Sequence, residues 1–233
     1  MALILNIESA TNTCSVALAM DGKLLALAEN NKPRNHAEVI TLYIQEVLHK
    51  TNISFSKLDA VAISKGPGSY TGLRIGVSTA KGLCYALNKP LIAINTLQAM
   101  VLALLQTANY KRQVANILFC PMLDARRMEV YCALFDANNS LVKETSAEII
   151  NEQSFANILK NNQVVFFGDG AAKCKTTLAK HPNAVFIDDV FPSAKNILTL
   201  SEAAFHNKQF EDTAYFEPFY LKDFRITTPN KTK

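Results

Sequence analysis

The hydrophobic and polar positions of this chain alternate in a way typical of a mixed α/β protein. Short apolar runs that are rich in β-branched residues and end in turn residues predict strands. Apolar residues that recur every three or four positions predict amphipathic helices. In the first half, the pattern predicts strands at 3–7, 14–20, 23–28, 58–64 and 91–95, and helices at 36–50, at 73–87 and from 96 onward.

The second half repeats this order of elements, although no repeat is visible residue by residue. Each half reads as three strands, a helix, a strand and a helix, followed by one further strand and helix. A polar stretch at 106–116 predicts the crossing between two lobes, which we place at 1–105 and 106–233. The predicted strands are 117–123, 129–135, 141–150, 164–167 and 184–187, and the predicted helices are 154–160, 171–180 and 193–206.

A glycine-rich turn joins the strand at 58–64 to the helix at 73–87. Gly66, Pro67 and Gly68 suit a tight turn with a close backbone approach, and Ser69 or Thr71 can cap the helix. Such a turn can hold an anion on its N–H groups, although many strand–helix turns share this feature. The spacing of its glycines, without a following Lys-Ser/Thr pair, excludes a Walker A loop.

One face of the helix that follows is built from small residues. Gly72, Gly76 and Ala80 recur every four positions and therefore lie on the same side. Each glycine inside a helix costs about 1 kcal/mol relative to alanine, so a close contact must offset it. Two interpretations are open: the face packs on the chain's own sheet, or a helix of a partner chain lies against it.

Residues 66–76, Gly-Pro-Gly-Ser-Tyr-Thr-Gly-Leu-Arg-Ile-Gly, resemble the signature of the bacterial TsaB (YeaZ) family. The opening stretch 4–18 is also similar, as are Asp124-Ala125-Arg126 and the nearby Glu129-Val130-Tyr131. The resemblance implies a two-lobed actin/hexokinase-like ATPase fold with ribonuclease H-like βββαβα lobes. It also implies a non-catalytic subunit of the machinery that makes N6-threonylcarbamoyladenosine in tRNA.

By this resemblance the chain binds and activates TsaD, the threonylcarbamoyltransferase that modifies N6 of adenosine 37. TsaE, an ATPase, is a further expected partner, tRNA is contacted through the complex, and a homodimer forms when the partner is missing. The expected contact is a four-helix arrangement. Leucine at Gly72 or Gly76 is expected to leave the fold intact but to block the partner. The expected interface residues are His36, Val39, Ile40, Tyr43, Gly72, Leu73, Gly76 and Ala80.

Composition narrows the class of protein without identifying its function. The chain has 233 residues, of which 49% are hydrophobic and 19% charged, as in ordinary globular proteins. A net charge of +4 is too small to indicate nucleic-acid binding by itself. The cationic tail residues Lys222, Arg225, Lys231 and Lys233 are explained equally well by a solvated tail or by an RNA contact.

Several features predict a cytoplasmic protein with no membrane segment. The five cysteines are odd in number and form no CxxC motif, which favours reduced thiols over a disulfide framework or a zinc site. No signal peptide is recognisable at the start. The longest apolar stretch, 99–105, is far shorter than the roughly 20 residues that cross a bilayer.

The turns that hold phosphates in ATPases of the implied fold are degenerate here. An Asp-x-Gly-Ser/Thr hairpin is replaced by Glu8-Ser9-Ala10-Thr11, and the turn at Asp124-Ala125-Arg126 also lacks glycine. Thr11, Thr13 and Arg126 are therefore only weak candidates for contacting a nucleotide. The Gly168-Asp169-Gly170 stretch either lies near an adenosine or ends a strand. We expect no required cofactor, and at most weak ATP or ADP binding at the partner interface.

No catalytic or metal-binding residue is predicted. TsaD, by resemblance, holds its metal with a His-x3-His pair on a helix, a spacing that brings two ligands to one ion. No two of the four histidines here, His36, His49, His181 and His206, are four residues apart. No Gly-x-Ser-x-Gly nucleophile elbow is present either.

Two questions stay open at this level. The turn around Arg126 is either oriented by an ion pair with Asp124 or Glu129, or it presents Arg126 and Arg127 to a phosphate between the lobes. The function is either that of a partner subunit or that of a small-metabolite kinase or ATPase of the same fold. Magnesium-dependent ATP hydrolysis by the isolated chain separates the two functions.

Overall fold

Two five-stranded mixed sheets form the framework, and the computed structural model describes residues 1–30, 35–107 and 116–222. In the first sheet the strand order is β3-β2-β1-β4-β5. Strand β1 pairs antiparallel with β2 and parallel with β4. Its strands are β1 (Leu3–Glu8), β2 (Cys14–Met20), β3 (Lys23–Asn30), β4 (Ala60–Gly66) and β5 (Leu91–Asn95).

The second sheet repeats the topology of the first. Its order is β10-β9-β6-β7-β8, so that each sheet combines a three-stranded antiparallel meander with two parallel strands. The predicted repetition of element order is therefore confirmed in three dimensions. The strands are β6 (Ile117–Asp124), β7 (Glu129–Phe135), β8 (Leu141–Ile149), β9 (Gln163–Phe167) and β10 (Ala184–Ile187).

The helices agree with the sequence pattern except in the second half. The predicted helix 154–160 is shortened, because Phe155 has a left-handed φ of 61°. The predicted helix 193–206 is interrupted, and the 3₁₀ turn Ala194–Asn196 precedes a shorter helix. The helices are α1 (His36–Thr51), α2 (Tyr70–Leu87), α3 (Thr96–Thr107), α4 (Ala156–Leu159), α5 (Ala171–Leu178) and α6 (Leu198–His206).

Helix α3 packs between the two sheets, and α6 covers the sheet of the other half of the chain. Met100 of α3 lies in one core cluster with Phe119 of β6, whereas Ala204 of α6 lies with Ile4 of β1. After α6 the chain also contacts the first lobe, where the Glu211 N–H donates to the Leu91 carbonyl at 2.9 Å. The strands of the two sheets lie on either side of the predicted boundary between 105 and 106, whereas α6 follows the boundary and packs on the first sheet.

Parts of two predicted features are not covered. Residues 108–115, which hold most of the predicted crossing between lobes, lie outside the described residues. The tail cations Arg225, Lys231 and Lys233 lie outside them as well. In the part of the chain that is described, no helix is long and apolar enough to cross a membrane.

Helix α1 buries its apolar stripe on the first sheet. Asn35 caps the helix by accepting the Ala37 N–H at 3.1 Å. Val39 and Ile40 are 6% and 1% exposed and pack in the core of the first lobe with residues of β1, β2 and β4. Their expected place at a partner interface is therefore wrong, because the chain's own sheet covers them.

The glycine face of α2 packs on Ser9, at the end of β1. A Cβ on Gly72 would overlap the Ser9 carbonyl oxygen, and a Cβ on Gly76 would overlap the Ser9 hydroxyl. The Gly76 Cβ would also lie 3.0 Å from Ile63 Cδ1 of β4. The interpretation in which this face packs on the chain's own sheet is therefore confirmed. Leu73 and Ala80 are buried in the same interior.

The hypothesis that a partner lies against Gly72, Leu73, Gly76 and Ala80 is correspondingly wrong. Backbone and side-chain atoms of the first lobe already occupy the space above this face. The expectation that leucine at Gly72 or Gly76 leaves the fold intact fails for the same reason, since a larger side chain meets the sheet first.

We predict that Gly76→Ala destabilises the protein by about 1–3 kcal/mol, because its methyl group forces α2 away from Ser9 and Ile63. Gly82→Ala on the same helix is the matched control, since a Cβ there meets nothing within 4 Å. The control should gain up to about 1 kcal/mol from helix propensity. Urea unfolding measures both changes, and a Gly76→Ala variant as stable as the control would contradict the packing.

Glu8, the last residue of β1, is a fully buried carboxyl group at the base of the first turn. Its Oε1 accepts hydrogen bonds from Ser64 Oγ and from the Ala10 N–H, both at 2.7 Å. Burial raises the pKa of Glu8 to about 7, although these two hydrogen bonds act in the opposite direction. The folded protein therefore favours the protonated carboxyl more strongly than the unfolded chain does.

We predict that this carboxyl lowers the free energy of unfolding as the pH rises from about 4.5 to 7. The folded state holds the proton more tightly, so ionisation costs stability, and the loss approaches about 3 kcal/mol above pH 7. Glu8→Gln keeps the acceptor oxygen and should be less sensitive to pH over this interval and more stable at pH 8. Denaturant unfolding at several pH values, with Glu46→Gln as an exposed control, measures the effect. An unchanged pH slope in Glu8→Gln would contradict it.

Candidate functional site

The glycine turn before α2 is held by contacts with the chain itself. The Ser69 N–H donates to the Ala10 carbonyl at 2.6 Å, and the Gly66 N–H donates to Thr96 Oγ1 at 3.2 Å. Ser69 Oγ accepts the Gly72 N–H at 3.3 Å and thereby caps the helix. A Cβ on Gly68 would lie 2.8 Å from Ala10 Cβ, which leaves no room for a side chain. These N–H groups are therefore used inside the protein.

The opposite side of α2 faces away from the sheet and forms a continuous surface. We call its five residues the outer stripe; they follow one another at alternating intervals of four and three positions. This spacing is the one that brings helices together in a coiled-coil seam. Tyr85 is 87% exposed, Ile75 is half-buried, and the remaining three are small and exposed. The outer stripe consists of Thr71, Ile75, Ser78, Gly82 and Tyr85.

Gly82 is the glycine of α2 that the fold itself does not require. A Cβ at this position meets nothing within 4 Å, in contrast to Gly72 and Gly76. The residue nevertheless carries the cost of a glycine inside a helix, about 1 kcal/mol. Small residues at such a position let a second helix approach closely.

The outer stripe carries no charge, and the one lysine beside it is used internally. Lys81 Nζ donates to the carbonyls of Ala214 and Phe216 at 3.1 and 2.9 Å, so it ties the C-terminal segment to α2. Arg74 is the other cation that flanks the stripe. Depletion of charge is typical of the buried centre of a protein–protein contact.

Helix α1 lies beside α2 and contributes His36 and Tyr43, which are both half-buried. His36 Nε2 lies 2.8 Å from the Thr11 carbonyl oxygen and so connects the start of α1 to the first turn. A cavity of about 220 Å³ lies where the two helices begin. It is lined by Asn12, Asn35, His36, Ser69, Thr71, Gly72 and Ile75.

The residues of α2 predicted from sequence lie on its inner side, whereas Ser78, Gly82 and Tyr85 of the outer side were not among them. Only Ile75 and Tyr85 among the five residues of the outer stripe have large apolar side chains, so a search for apolar positions misses it. The signal that could have found it is the interval pattern of small residues from Thr71 to Tyr85. Among the interface residues predicted from sequence, His36 and Tyr43 keep partial exposure.

The turn after β1, which stands where ATPases of this fold have their first phosphate-binding hairpin, is held together by hydrogen bonds within the chain. Thr11 and Thr13 are each 7% exposed, and Thr11 Oγ1 accepts the Thr13 N–H at 3.3 Å. The Thr11 carbonyl faces His36, as described above. Both threonine hydroxyls therefore lie inside the turn, and a role in binding phosphate stays a prediction.

The second turn is oriented by ion pairs, but lysines rather than Arg126 supply the cations. Asp124 pairs with Lys173, and Glu129 pairs with Lys222. Arg126 and Arg127 have left-handed φ values of 70° and 48° and are exposed at the tip of the turn. No ion pair involves either arginine among the residues that the structure describes. That they contact a phosphate stays a prediction.

The Gly168-Asp169-Gly170 stretch ends β9 against β6. Gly168 has a φ of 103°, and a Cβ on it would lie 3.2 Å from the Met122 carbonyl carbon. A Cβ on Gly170 would lie 2.8 Å from the carbonyl carbon of Leu123. Asp169 Oδ1 accepts the Asp124 N–H at 3.1 Å, and burial raises the pKa of Asp169. Close packing of strand ends therefore explains both glycines, as the strand-end interpretation predicts.

The histidines do not come together in the described ranges. His36 contacts the first turn, and His206 pairs with Glu202 at 2.8 Å on α6. Across residues 1–30, 35–107 and 116–222, no cluster of three His, Cys, Asp or Glu side chains is arranged to hold a metal ion. All five cysteines are buried as free thiols. Burial raises the pKa values of Cys14, Cys84 and Cys174 to between about 11 and 12, which makes these thiols unreactive.

Comparison with known proteins yields one family. A family model described as TsaD, tRNA N6-adenosine threonylcarbamoyltransferase, matches residues 28–229. The tRNA threonylcarbamoyladenosine biosynthesis protein TsaB of Escherichia coli (strain K12) is 31% identical over 229 residues, which cover 94% of each chain. A tRNA N6-adenosine threonylcarbamoyltransferase of Geotalea daltonii is 36% identical, but over only 34% of this chain and 23% of its own length.

Solved structures give the same result. YeaZ from Pseudomonas aeruginosa superposes with a TM-score of 0.77 at 25% identity, covering 95% of this chain and all of that one. An activator of 2-hydroxyisocaproyl-CoA dehydratase from Clostridium difficile, with bound ADPNP, has a TM-score of 0.50 at 10% identity and shares the fold alone. The fold is thus the predicted two-lobed actin/hexokinase-like ATPase fold, and the chain belongs to the TsaB (YeaZ) family of tRNA threonylcarbamoyladenosine biosynthesis proteins.

Proposed function

We propose that this chain is a non-catalytic subunit that binds and activates TsaD for N6-threonylcarbamoylation of adenosine 37 in tRNA. The observation that carries the proposal is the outer stripe of α2. It is an uncharged seam with helix-pairing spacing and with a glycine, Gly82, that has no use inside the chain. Membership of the family indicates the pathway, tRNA threonylcarbamoyladenosine biosynthesis, and the outer stripe is a surface that a second protein can contact.

The contact is proposed as a four-helix arrangement. Helices α1 and α2 lie side by side on one face of the first sheet, so their outer sides can pack against an equivalent pair of helices. TsaD can offer such a pair, because the TsaD family model also matches most of this chain. The same surface can pair with a second copy of the chain, which gives the proposed homodimer when TsaD is missing.

The remaining parts of the complex follow from this role. TsaE supplies ATP hydrolysis, and tRNA is reached through the complex rather than through this chain alone. The chain itself is proposed to need no cofactor, and any ATP or ADP binds weakly at the interface with the partner. The buried threonines of the first turn and the lysine-paired carboxylates of the second support this assignment. They also leave the kinase alternative without a supporting observation.

We predict that Gly82→Leu folds normally but binds TsaD about 10-fold to 100-fold more weakly. The leucine projects from the outer stripe into open space, so it costs the isolated chain little, whereas overpacking a helix contact costs about 1–3 kcal/mol. Calorimetric titration with TsaD measures the affinity, and threonylcarbamoylation of tRNA by the mixture should fall in parallel.

Two controls accompany this variant. Ala203→Leu places the same side chain at an exposed position of α6 and should bind TsaD like the wild type. The unfolding free energy of Gly82→Leu should stay within about 1 kcal/mol of the wild type. Wild-type affinity for TsaD in a folded Gly82→Leu protein would rule out the outer stripe as the contact.

A further inference from the structure

A second cavity, of about 250 Å³, opens between the lobes, and no residue of the turns after β1 and β6 lines it. On the side of the first lobe it is lined by Lys65, near the end of β4, and by Asn95, the last residue of β5. Gln98, in the first turn of α3, completes this wall. One wall thus presents an ammonium group and two amides.

The opposite wall belongs to the hairpin of β7 and β8 and to the C-terminal segment. Glu144 supplies a carboxylate, while Phe135 and Leu141 supply apolar surface. Phe219 closes the cavity from the C-terminal segment and is held there because its N–H donates to the Lys65 carbonyl at 2.7 Å. Both lobes and the C-terminal segment therefore meet at one cavity.

Its two charges face the same space without pairing. No ion pair joins Lys65 to Glu144, and neither side chain has a hydrogen-bond partner among the described residues. Asn95 Oδ1 accepts the backbone N–H of Gln98 at 3.0 Å, which leaves the Gln98 side-chain amide and the Asn95 Nδ2 group available. A ligand with both a carboxylate and an ammonium group can satisfy both walls at once.

The size of the cavity narrows the ligand further. Pockets for drug-sized ligands measure about 300–1,000 Å³, so 250 Å³ suits a smaller molecule. The apolar surface of Phe135, Leu141 and Phe219 suits a short aliphatic group rather than a third charge. We propose that this cavity binds a small zwitterion of the α-amino-acid class, with its carboxylate on Lys65 and its ammonium group on Glu144.

This inference is independent of the proposed contact with TsaD, because no residue of the outer stripe lines the cavity. The full chain is titrated with glycine, L-valine and L-leucine, and the side-chain amide NMR signals of Asn95 and Gln98 are followed. At least one of these amino acids should shift both signals. For that amino acid, the N-acetyl derivative and the carboxamide should each bind at least about 10-fold more weakly, since each lacks one charge.

Variants test the two walls separately. Lys65→Ala and Glu144→Gln should each weaken binding about 10-fold to 100-fold, and Lys57→Ala, an exposed lysine on another element, should bind normally. Lys65→Met keeps the aliphatic stem and replaces Lys65→Ala if that variant is unstable. The proposal is overturned if none of the three amino acids shifts the amide signals. It is also overturned if the N-acetyl derivative or the carboxamide binds as tightly as the unmodified amino acid. The same holds if the folded Lys65 or Glu144 variants bind the amino acid as tightly as the wild-type protein does.

Discussion

The packing of helix α2 directly onto Ser9 is the constraint on which the rest of this structure depends. Gly72 and Gly76 bring the helix backbone so close that Ser9 fills the space where their side chains would lie. The Ser9 hydroxyl has no hydrogen-bond partner among the described residues, so packing alone holds it there. The same approach seats the glycine turn on Ala10 through the Ser69 N–H. Helix, turn and the end of β1 therefore form one unit.

This unit has two consequences for function. The first turn is folded against the helix and against His36, so its two threonines are largely buried. Since the chain's own sheet covers the inner face of α2, the outer stripe is the side of this helix that another protein can contact. Gly82 on that side leaves room for a second helix, whereas Gly72 and Gly76 leave room for Ser9. A chain with enclosed turns and an uncharged helical seam is suited to act through a partner.

Much of the fold was predictable from sequence, because period-2 and period-3.6 patterns determine strands and helices locally. Strands β2, β5, β7 and β10 begin and end where the apolar runs predict. The position of α3 between the sheets and of α6 on the first sheet was not predictable, because it depends on which sheet each helix meets and not on its own pattern. Phe155 adopts a left-handed φ, which is rare for a bulky residue and cannot be predicted from its type, and this conformation shortens α4.

The candidate site was predictable in location but not in orientation. Small residues at intervals of four indicate that something lies close to α2, and the sequence cannot tell a sheet from a partner. Burial decided between them, because Gly76 faces Ser9 whereas Gly82 faces open space. Likewise, the carboxylates near Arg126 could not be assigned partners from sequence, and distant lysines, Lys173 and Lys222, proved to supply them.

The most direct measurement of which side of α2 meets a partner is thiol labelling of Ser78→Cys with and without TsaD. The replacement is nearly isosteric, and the five native cysteines are buried, so the introduced thiol reports alone. Our account predicts rapid labelling of the isolated protein and strong protection in the complex, while Ala203→Cys on α6 labels equally in both. Equal labelling of Ser78→Cys with and without bound TsaD would contradict it.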